Sequence, residues 1–458
     1  MAGIGFELRK ILKRDSLLSL GKMYAYAGML SSGPWVISII AILIVGFINL
    51  SLAKTTTVQT LQFQVIITYA IALASSLIIT GLVQLPYTRY VADLIFSKKE
   101  EEILSSYFGT LLLVWMTGLP FVWILVYIAF PEQGFLLRLE AATVFLVLCA
   151  VWISNVLATS LKYYRGVVAA YFFSYAFIIG VAYYAQTDLN TLLLIFIIGN
   201  VLLLLILMSL IVMEYHSKEF YHFRFFSKER YYWRLGLAGL FYNMGAWADK
   251  FVFWYHPLTG YPVIGRIHAS VVYDLPIFMA YLSIIPGMAI FFYRLEADFA
   301  DKYDKFYDAV LHNGTLSVIE FYRNEMTLTA RQAIREIMVY QGIIDILIFL
   351  TAPTFFDWLR IPLLYLDLFY VLTVGAMLQL GFMSVLAILF YLDRQKEGMW
   401  LALAFFILNT LFSIATIYMG PTWFGYGYTV SLLIVFIASL VVLDRIMENL
   451  EYETFMLR

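Results

Sequence analysis

An apolar run of about twenty residues recurs twelve times along this chain. A helix rises about 1.5 Å per residue, so each run spans the ~30 Å hydrocarbon core of a bilayer. The runs are Tyr24–Leu50, Phe63–Arg89, Tyr107–Phe130, Ala141–Leu161, Gly166–Ala185, Thr191–Met213, Leu235–Tyr255, Val271–Tyr293, Ile337–Phe356, Leu363–Leu392, Met399–Met419 and Tyr426–Leu443. With 62% hydrophobic and 13% charged residues, the 458-residue chain is far too apolar for a soluble core. The fold class read from this is an all-α polytopic membrane protein, with about twelve transmembrane helices in two six-helix bundles.

The distribution of positive charge orients it. With both ends inside, the inner segments hold 25 of the 30 Lys and Arg residues. The outer loops hold only Lys54, Arg138, Arg266 and Arg360, and Lys250 is left within a helix. That bias satisfies the positive-inside rule and requires an even number of crossings. It predicts a multi-pass membrane protein with both termini cytoplasmic.

Five segments follow. Residues 1–23 read as a basic amphipathic helix on the inner leaflet, with Ile4, Leu8, Ile11 and Leu12 on one stripe beside Arg9, Lys10, Lys13 and Arg14. Residues 24–213 form an N-terminal bundle, 214–234 a charged and aromatic cytoplasmic linker, and 235–443 a C-terminal bundle. Residues 444–458 are a cytoplasmic tail. The inner loop 294–335 reads as two short amphipathic helices joined at Asn313-Gly314. Ser31-Ser32-Gly33-Pro34 interrupts the first crossing and Pro86 the second. Such breaks free backbone groups, which membranes tolerate only against protein or water. No cleavable leader is expected, since the first apolar run starts near Tyr24 and is too long for one.

The residues that oil should exclude are the candidates for function. In Leu235–Tyr255, Asp249 and Lys250 lie at membrane depth, where a charge costs about 2.5–3.5 kcal/mol on insertion scales. Adjacent helix positions diverge by about 100°, so each is expected to find its own partner rather than the other. Lys250 could alternatively snorkel to the outer headgroups, leaving Asp249 one structural bond. Tyr242, Asn243 and Trp247 add polar handles on the same helix. Tyr87 and Arg89 follow Pro86, while Asp274 and Asp345 lie in the eighth and ninth crossings. These nine residues form the predicted substrate pathway. Arg89 and Asp367 sit close enough to helix ends for interfacial roles. Asn155, Asn200 and Asn409 read as interhelical hydrogen-bonding groups. Aromatic residues, 18% of the chain, could stack on sugar rings, although interfacial belts use the same residues.

Several chemistries are not indicated. The five histidines, His216, His222, His256, His268 and His312, show no metal-ligand spacing, so no metal or cofactor is expected. Glu296 and Asp298 read as a solvated pair of acids. No phosphate loop or nucleophile elbow occurs, and the net charge of −1 argues against nucleic acid. Cys149 stands alone, which excludes an intramolecular disulfide.

Three stretches carry a family resemblance: MAGIGFELRK followed by MYAYAGMLSSGPWVISI, the seventh-helix GAWADKFVFWY, and FFYRLEADFADKYDKFYDAVLHNGTLSVIE in the inner loop. Together with the length and helix count, they make the chain resemble the PelG family of exopolysaccharide transporters, within the multidrug/oligosaccharidyl-lipid/polysaccharide exporter (MOP) superfamily. The resemblance implies export of an N-acetylgalactosamine-rich Pel polymer for biofilm matrix. It also implies a cytosolic glycosyltransferase, a cyclic-di-GMP-binding membrane subunit and a further membrane scaffold subunit as partners. It supplies no site residues. Three other functions compete: an ion-coupled antiporter or flippase of a small or lipid-linked sugar, an integral-membrane glycosyltransferase, and a non-transporting platform for a synthase complex. The short outer loops and the lack of a catalytic domain disfavour the enzyme.

Overall fold

The computed structural model describes residues 33–51, 56–67, 73–160, 164–185, 188–227, 231–312 and 314–452. The amphipathic helix expected over 1–23, and Ser31-Ser32 of the first interruption, lie outside the described residues. Among the described residues the regular structure is helical apart from one antiparallel hairpin, β1 (Tyr261–Ile264) and β2 (Ile267–Ala269), in the loop after the seventh crossing. It is an all-α polytopic membrane protein. Among the described residues, nine segments are long and apolar enough to cross a membrane.

The chain divides into two compact units. One comprises Gly33–Trp247 and Trp254–Ser270. The other contains Ala248–Phe253 and the chain from Val271 onward. The division falls inside the seventh crossing and leaves the 214–234 linker within the first of these units.

In the first unit the helices are α1 (Gly33–Ser51), α2 (Thr57–Val65), α3 (Leu73–Phe96), α4 (Glu101–Ala129), α5 (Phe135–Ser160), α6 (Tyr164–Tyr184) and α7 (Leu189–Glu214). The seventh crossing is α8 (Trp233–Tyr255). The core is a continuous apolar cluster that includes Phe63, Phe145, Phe196 and Leu207. Residues such as Phe172, Phe173, Ile124 and Met116 point outward, as lipid contact requires. Hydrophobicity gives no preference for helix–helix contact over lipid in a bilayer, so close packing and polar bonds must hold such helices together.

The helices α3 and α8 show both devices. Gly81 meets Gly239 so closely that a Cβ on Gly239 would lie 2.4 Å from Gly81 O. Asn243 Nδ2 donates to Leu77 O at 2.8 Å.

The second crossing differs from its sequence expectation. Its α3 runs through Pro86 to Phe96 without the interruption expected there. The reason is a side chain from the linker before α8. Pro86 has no N–H to donate to Leu82 O, and the Tyr231 hydroxyl supplies the missing donor at 2.8 Å. With its carbonyl satisfied, the helix continues. The other unit repeats the device: Pro353 leaves Phe349 O unpaired, and the Tyr370 hydroxyl donates to it at 3.3 Å.

That second unit contains α9 (Val271–Ser283), α10 (Ile285–Tyr293), a π-helical turn (Arg294–Phe299), α11 (Ala300–Leu311), α12 (Leu316–Trp358), α13 (Leu366–Tyr391), α14 (Gln395–Met419) and α15 (Tyr426–Glu448). Two expectations are corrected here. The eighth crossing is broken at Ile284 into α9 and α10. The second amphipathic helix of the inner loop is not separate: it is the first half of the 43-residue α12, which continues into the ninth crossing. At ~1.5 Å per residue α12 is roughly twice as long as the bilayer core is thick.

Ion pairs brace the part of this unit expected to lie inside the cell. Arg294 bonds Asp298 at 2.5 Å and also pairs with Glu336. Lys302 meets Glu325 at 2.8 Å, and Arg331 meets Asp444 at 2.5 Å. Glu296 accepts the Tyr391 hydroxyl at 2.9 Å. Glu296 and Asp298, expected to be solvated, are thus tethering groups.

Candidate functional site

The most concentrated intramembrane chemistry lies around Asp249 and Lys250, inside the unit formed with α9 to α15. Both side chains are fully enclosed by protein, at 0% and 2% exposure. Lys250 therefore does not snorkel. The two also pair with each other, contrary to the sequence expectation: Lys250 Nζ lies 3.1 Å from Asp249 Oδ1 and 3.2 Å from Oδ2. The 100° divergence holds for the Cβ directions. The four-carbon stem of lysine is long enough to curl back across it.

Each ion also has neutral partners. Asp249 Oδ2 accepts the Tyr273 hydroxyl at 2.6 Å, and Oδ1 accepts Asn409 Nδ2 at 3.2 Å. Asn409 is oriented in turn by Ser413, whose hydroxyl reaches its Oδ1 at 3.1 Å. Lys250 donates to the Tyr281 hydroxyl at 2.9 Å. Its ammonium also sits 4.8 Å from the Tyr281 ring centroid and 5.5 Å from that of Tyr428, within cation–π range. Tyr428 donates to Gln379 Oε1 at 2.5 Å. Five helices, α8, α9, α13, α14 and α15, therefore meet in one hydrogen-bonded network.

The sequence supports this geometry at small residues. A Cβ on Gly375 would lie 2.5 Å from the Tyr428 ring, and one on Gly427 would lie 2.5 Å from Ser413 N. Tyr273 is held by face-to-face stacking on Phe253, with centroids 3.9 Å apart. A buried charge is retained only if its partners are in place, and a buried network polarises and rigidifies its members. The arrangement can hold a cation–carboxylate pair without water, and loss of either partner would leave a full charge exposed to apolar surroundings.

The other predicted pathway residues are placed elsewhere. Asp274 is half-buried in the first turn of α9. Asp345 on α12 bonds Gln341 rather than the Lys250 cluster. Within the other unit, Tyr242 is half-buried, Asn243 bonds Leu77, and Trp247 packs 6.2 Å from Trp254. Tyr87 is fully buried, 3.3 Å from Ser106 Oγ and 5.4 Å from the Phe225 ring. Arg89 lies two turns before the end of α3, where it pairs with Asp93 at 3.3 Å and lies over the Tyr232 ring. Asp367 is exposed in the first turn of α13.

Sequence reasoning did not pick out Tyr273, Tyr281, Tyr428, Gln379 or Gln341. A signal for two of them existed. Tyr273 and Tyr281 are eight residues apart in one crossing, about 80° apart around a helix, which puts both on one broad face. Among the described residues no group of three His, Cys, Asp or Glu side chains could hold a metal.

Comparison with known proteins gives the context. At the level of fold the chain is similar to an outward-facing multidrug-resistance MATE transporter of the MOP superfamily, with 14% identity, TM-score 0.64, and 93% and 96% of the two chains covered. It is also similar to a MOP superfamily transporter from Pyrococcus furiosus, with 12% identity, TM-score 0.65 and the same coverage. A MATE structure in the bent conformation covers 98% of each chain at 13% identity and TM-score 0.60. No curated protein matches the sequence. The fold is that of the MATE transporters, with twelve transmembrane helices in two bundles. The family model described as "PelG: Putative exopolysaccharide Exporter (EPS-E)" matches residues 1–455, and the chain therefore belongs to the PelG exopolysaccharide-exporter family, a group of membrane transport proteins.

Proposed function

We propose that this protein carries an N-acetylgalactosamine-rich Pel polysaccharide outward across the bacterial cytoplasmic membrane for biofilm matrix. The observation that carries the reading is the match to the exporter family over nearly the whole chain, on a transporter fold. Both termini lie in the cytoplasm, an orientation supported by the 25 inner and four outer positive charges. The protein is a transporter and not an enzyme. It works beside a cytosolic glycosyltransferase, a cyclic-di-GMP-binding membrane subunit and a membrane scaffold subunit, and the braced inner segment around α11 and α12 is the docking surface suited to them.

In this reading the Asp249–Lys250 cluster is a polar switch in the transport cycle. Replacing Asp249 and Lys250 together by Ala removes both charges and leaves no unpaired ion. The double variant should insert normally and secrete no polymer. Undiminished secretion would remove the cluster from the export cycle.

The MATE fold favours one further reading, a gradient-driven antiporter or flippase of a short or lipid-linked sugar. Proteoliposomes containing the purified protein alone would distinguish the two. Ion-driven movement of a short substrate without any glycosyltransferase would support the second reading.

A further inference from the structure

The break in the eighth crossing is bridged from α12 by one side chain. In a continuous helix the Gly287 N–H would bond Ser283 O. Here Gly287 N donates instead to Gln341 Oε1 at 3.1 Å, and Gln341 Nε2 donates to Ser283 O at 3.0 Å. One primary amide thus occupies the place of one peptide hydrogen bond, using both of its poles. The fit depends on glycine, since a Cβ on Gly287 would lie 2.4 Å from Gln341 Oε1. Pro286, without an N–H, keeps the backbone from closing the gap itself.

Asp345 holds the bridge. Gln341 Nε2 spends its remaining hydrogen on Asp345 Oδ1 at 2.7 Å. Gln341 is 0% exposed and Asp345 3%. Asp345 Oδ2 is buried and has no hydrogen-bond partner among the described residues.

Among the described residues, no ion pair reaches Asp345 from the helices packed nearby. Ile290 of α10, and Ala376 and Leu380 of α13, form an apolar cluster with Ile284 and Ile337. Tyr281 of α9 packs on that cluster, but it accepts a hydrogen bond from Lys250. Tyr370 of α13, one turn further along α12, gives its hydroxyl to Phe349 O. Among the described residues, Asp345 has no ion pair. A bare carboxylate in such a place is strongly disfavoured unless it takes up a cation, and the smallest cation is a proton.

We propose that Asp345 is an exchangeable proton site that latches the broken eighth helix. With the proton on Oδ2 the acid is neutral, and Oδ1 accepts from Gln341, which closes the α9–α10 break. When the O–H bond breaks, the proton passes to water and the electron pair stays on Oδ2. The new carboxylate is stabilised only by water admitted at the break, which draws Gln341 away from Ser283 and Gly287. Asp345 is a positioning residue acting through Gln341. The proposal concerns the proton site itself and is independent of which glycan is moved.

Two measurements on the purified full chain in lipid nanodiscs test it, and neither uses polymer export. Infrared difference spectra between acidic and alkaline buffer should show a carboxylic-acid C=O band that is lost on alkalisation and missing in Asp345→Asn. Amide exchange over residues 283–290, corrected for the intrinsic pH dependence, should rise roughly tenfold on alkalisation. It should stay low in Asp345→Asn, a neutral mimic of the acid, and be high at both pH values in Gln341→Leu. A wild-type spectrum without a titrating band absent from Asp345→Asn would overturn the site. Exchange over 283–290 independent of pH would overturn the latch. Protection restored in alkaline buffer by sodium ions would replace the proton with a metal cation and overturn the assignment.

Discussion

Lys250 Nζ lies 3.1 Å from Asp249 Oδ1 although the two residues are neighbours in one helix, and protein encloses both. The pair is bound to α9, α13, α14 and α15 through Tyr273, Tyr281, Gln379, Asn409 and Tyr428. It therefore acts as a junction among helices rather than as two independent charges in oil.

Removing one ion should cost far more than removing both. Lys250→Ala strands the Asp249 carboxylate, and breaking a buried pair this way costs about 3–5 kcal/mol. Replacing the pair by Asp249→Leu with Lys250→Met should recover most of that loss, because apolar substitutes for a buried pair are often neutral. Thermal unfolding in detergent should rank the double variant well above Lys250→Ala. The reverse order would mean that the pair is not buried in the membrane-inserted protein.

The hydroxyl of Tyr231 and the missing N–H of Pro86 are predicted to be coupled. Tyr231→Phe leaves Leu82 O without its donor and should cost roughly 0.5–1.5 kcal/mol. In a Pro86→Ala background the backbone regains an N–H for the same carbonyl, so the cost of Tyr231→Phe should fall towards zero. A double-mutant cycle read by thermal unfolding measures this. Equal losses in both backgrounds would separate Tyr231 from the proline gap.

Close approach at Gly239 makes a steric prediction. A methyl group there would lie 2.4 Å from Gly81 O, a backbone atom that can yield only if α3 and α8 separate. Gly239→Ala should destabilise the packing by about 1–3 kcal/mol. At Gly134, where a Cβ would meet nothing within 4 Å, the same change should be nearly silent. Comparing the two variants by gel-filtration profile and melting temperature checks the contrast.

The linker between α7 and α8 should carry a pH dependence through His222. Burial, reinforced by the Arg224 charge, lowers its pKa from the ordinary 6.5. Its Nδ1 accepts the Arg224 backbone N–H at 3.4 Å, which requires an unprotonated Nδ1. The folded state thus binds the proton less readily than the unfolded chain. The contribution to stability is complete above 6.5 and is lost as pH falls through the lowered folded value. Thermal unfolding followed from neutral to acidic pH should show a fall in stability that His222→Gln reduces. Parallel curves for the two proteins would rule His222 out as the source.

What could be read directly from the sequence is local. An apolar run announces a crossing by its own length, so the membrane class and the approximate helix positions need no knowledge of neighbours. An orientation is expected on the same local grounds, because positive charge is counted loop by loop. Residues at the wrong polarity for their depth, such as Asp249, Lys250, Asp345 and Asn409, identify themselves for the same reason. Their partners do not. Ser283 and Gln341 are 58 residues apart, and Asp249 and Asn409 are 160 apart. Whether Pro86 breaks α3 depended on Tyr231, and whether the eighth crossing stays broken depended on Gln341 and Pro286 together. Tertiary structure decided these points because every polar group buried away from water must find a partner, and in this chain many partners come from other helices. The helix itself follows from composition over twenty residues, whereas its kinks, its ion pairs and its latches follow from where a distant side chain arrives in three dimensions.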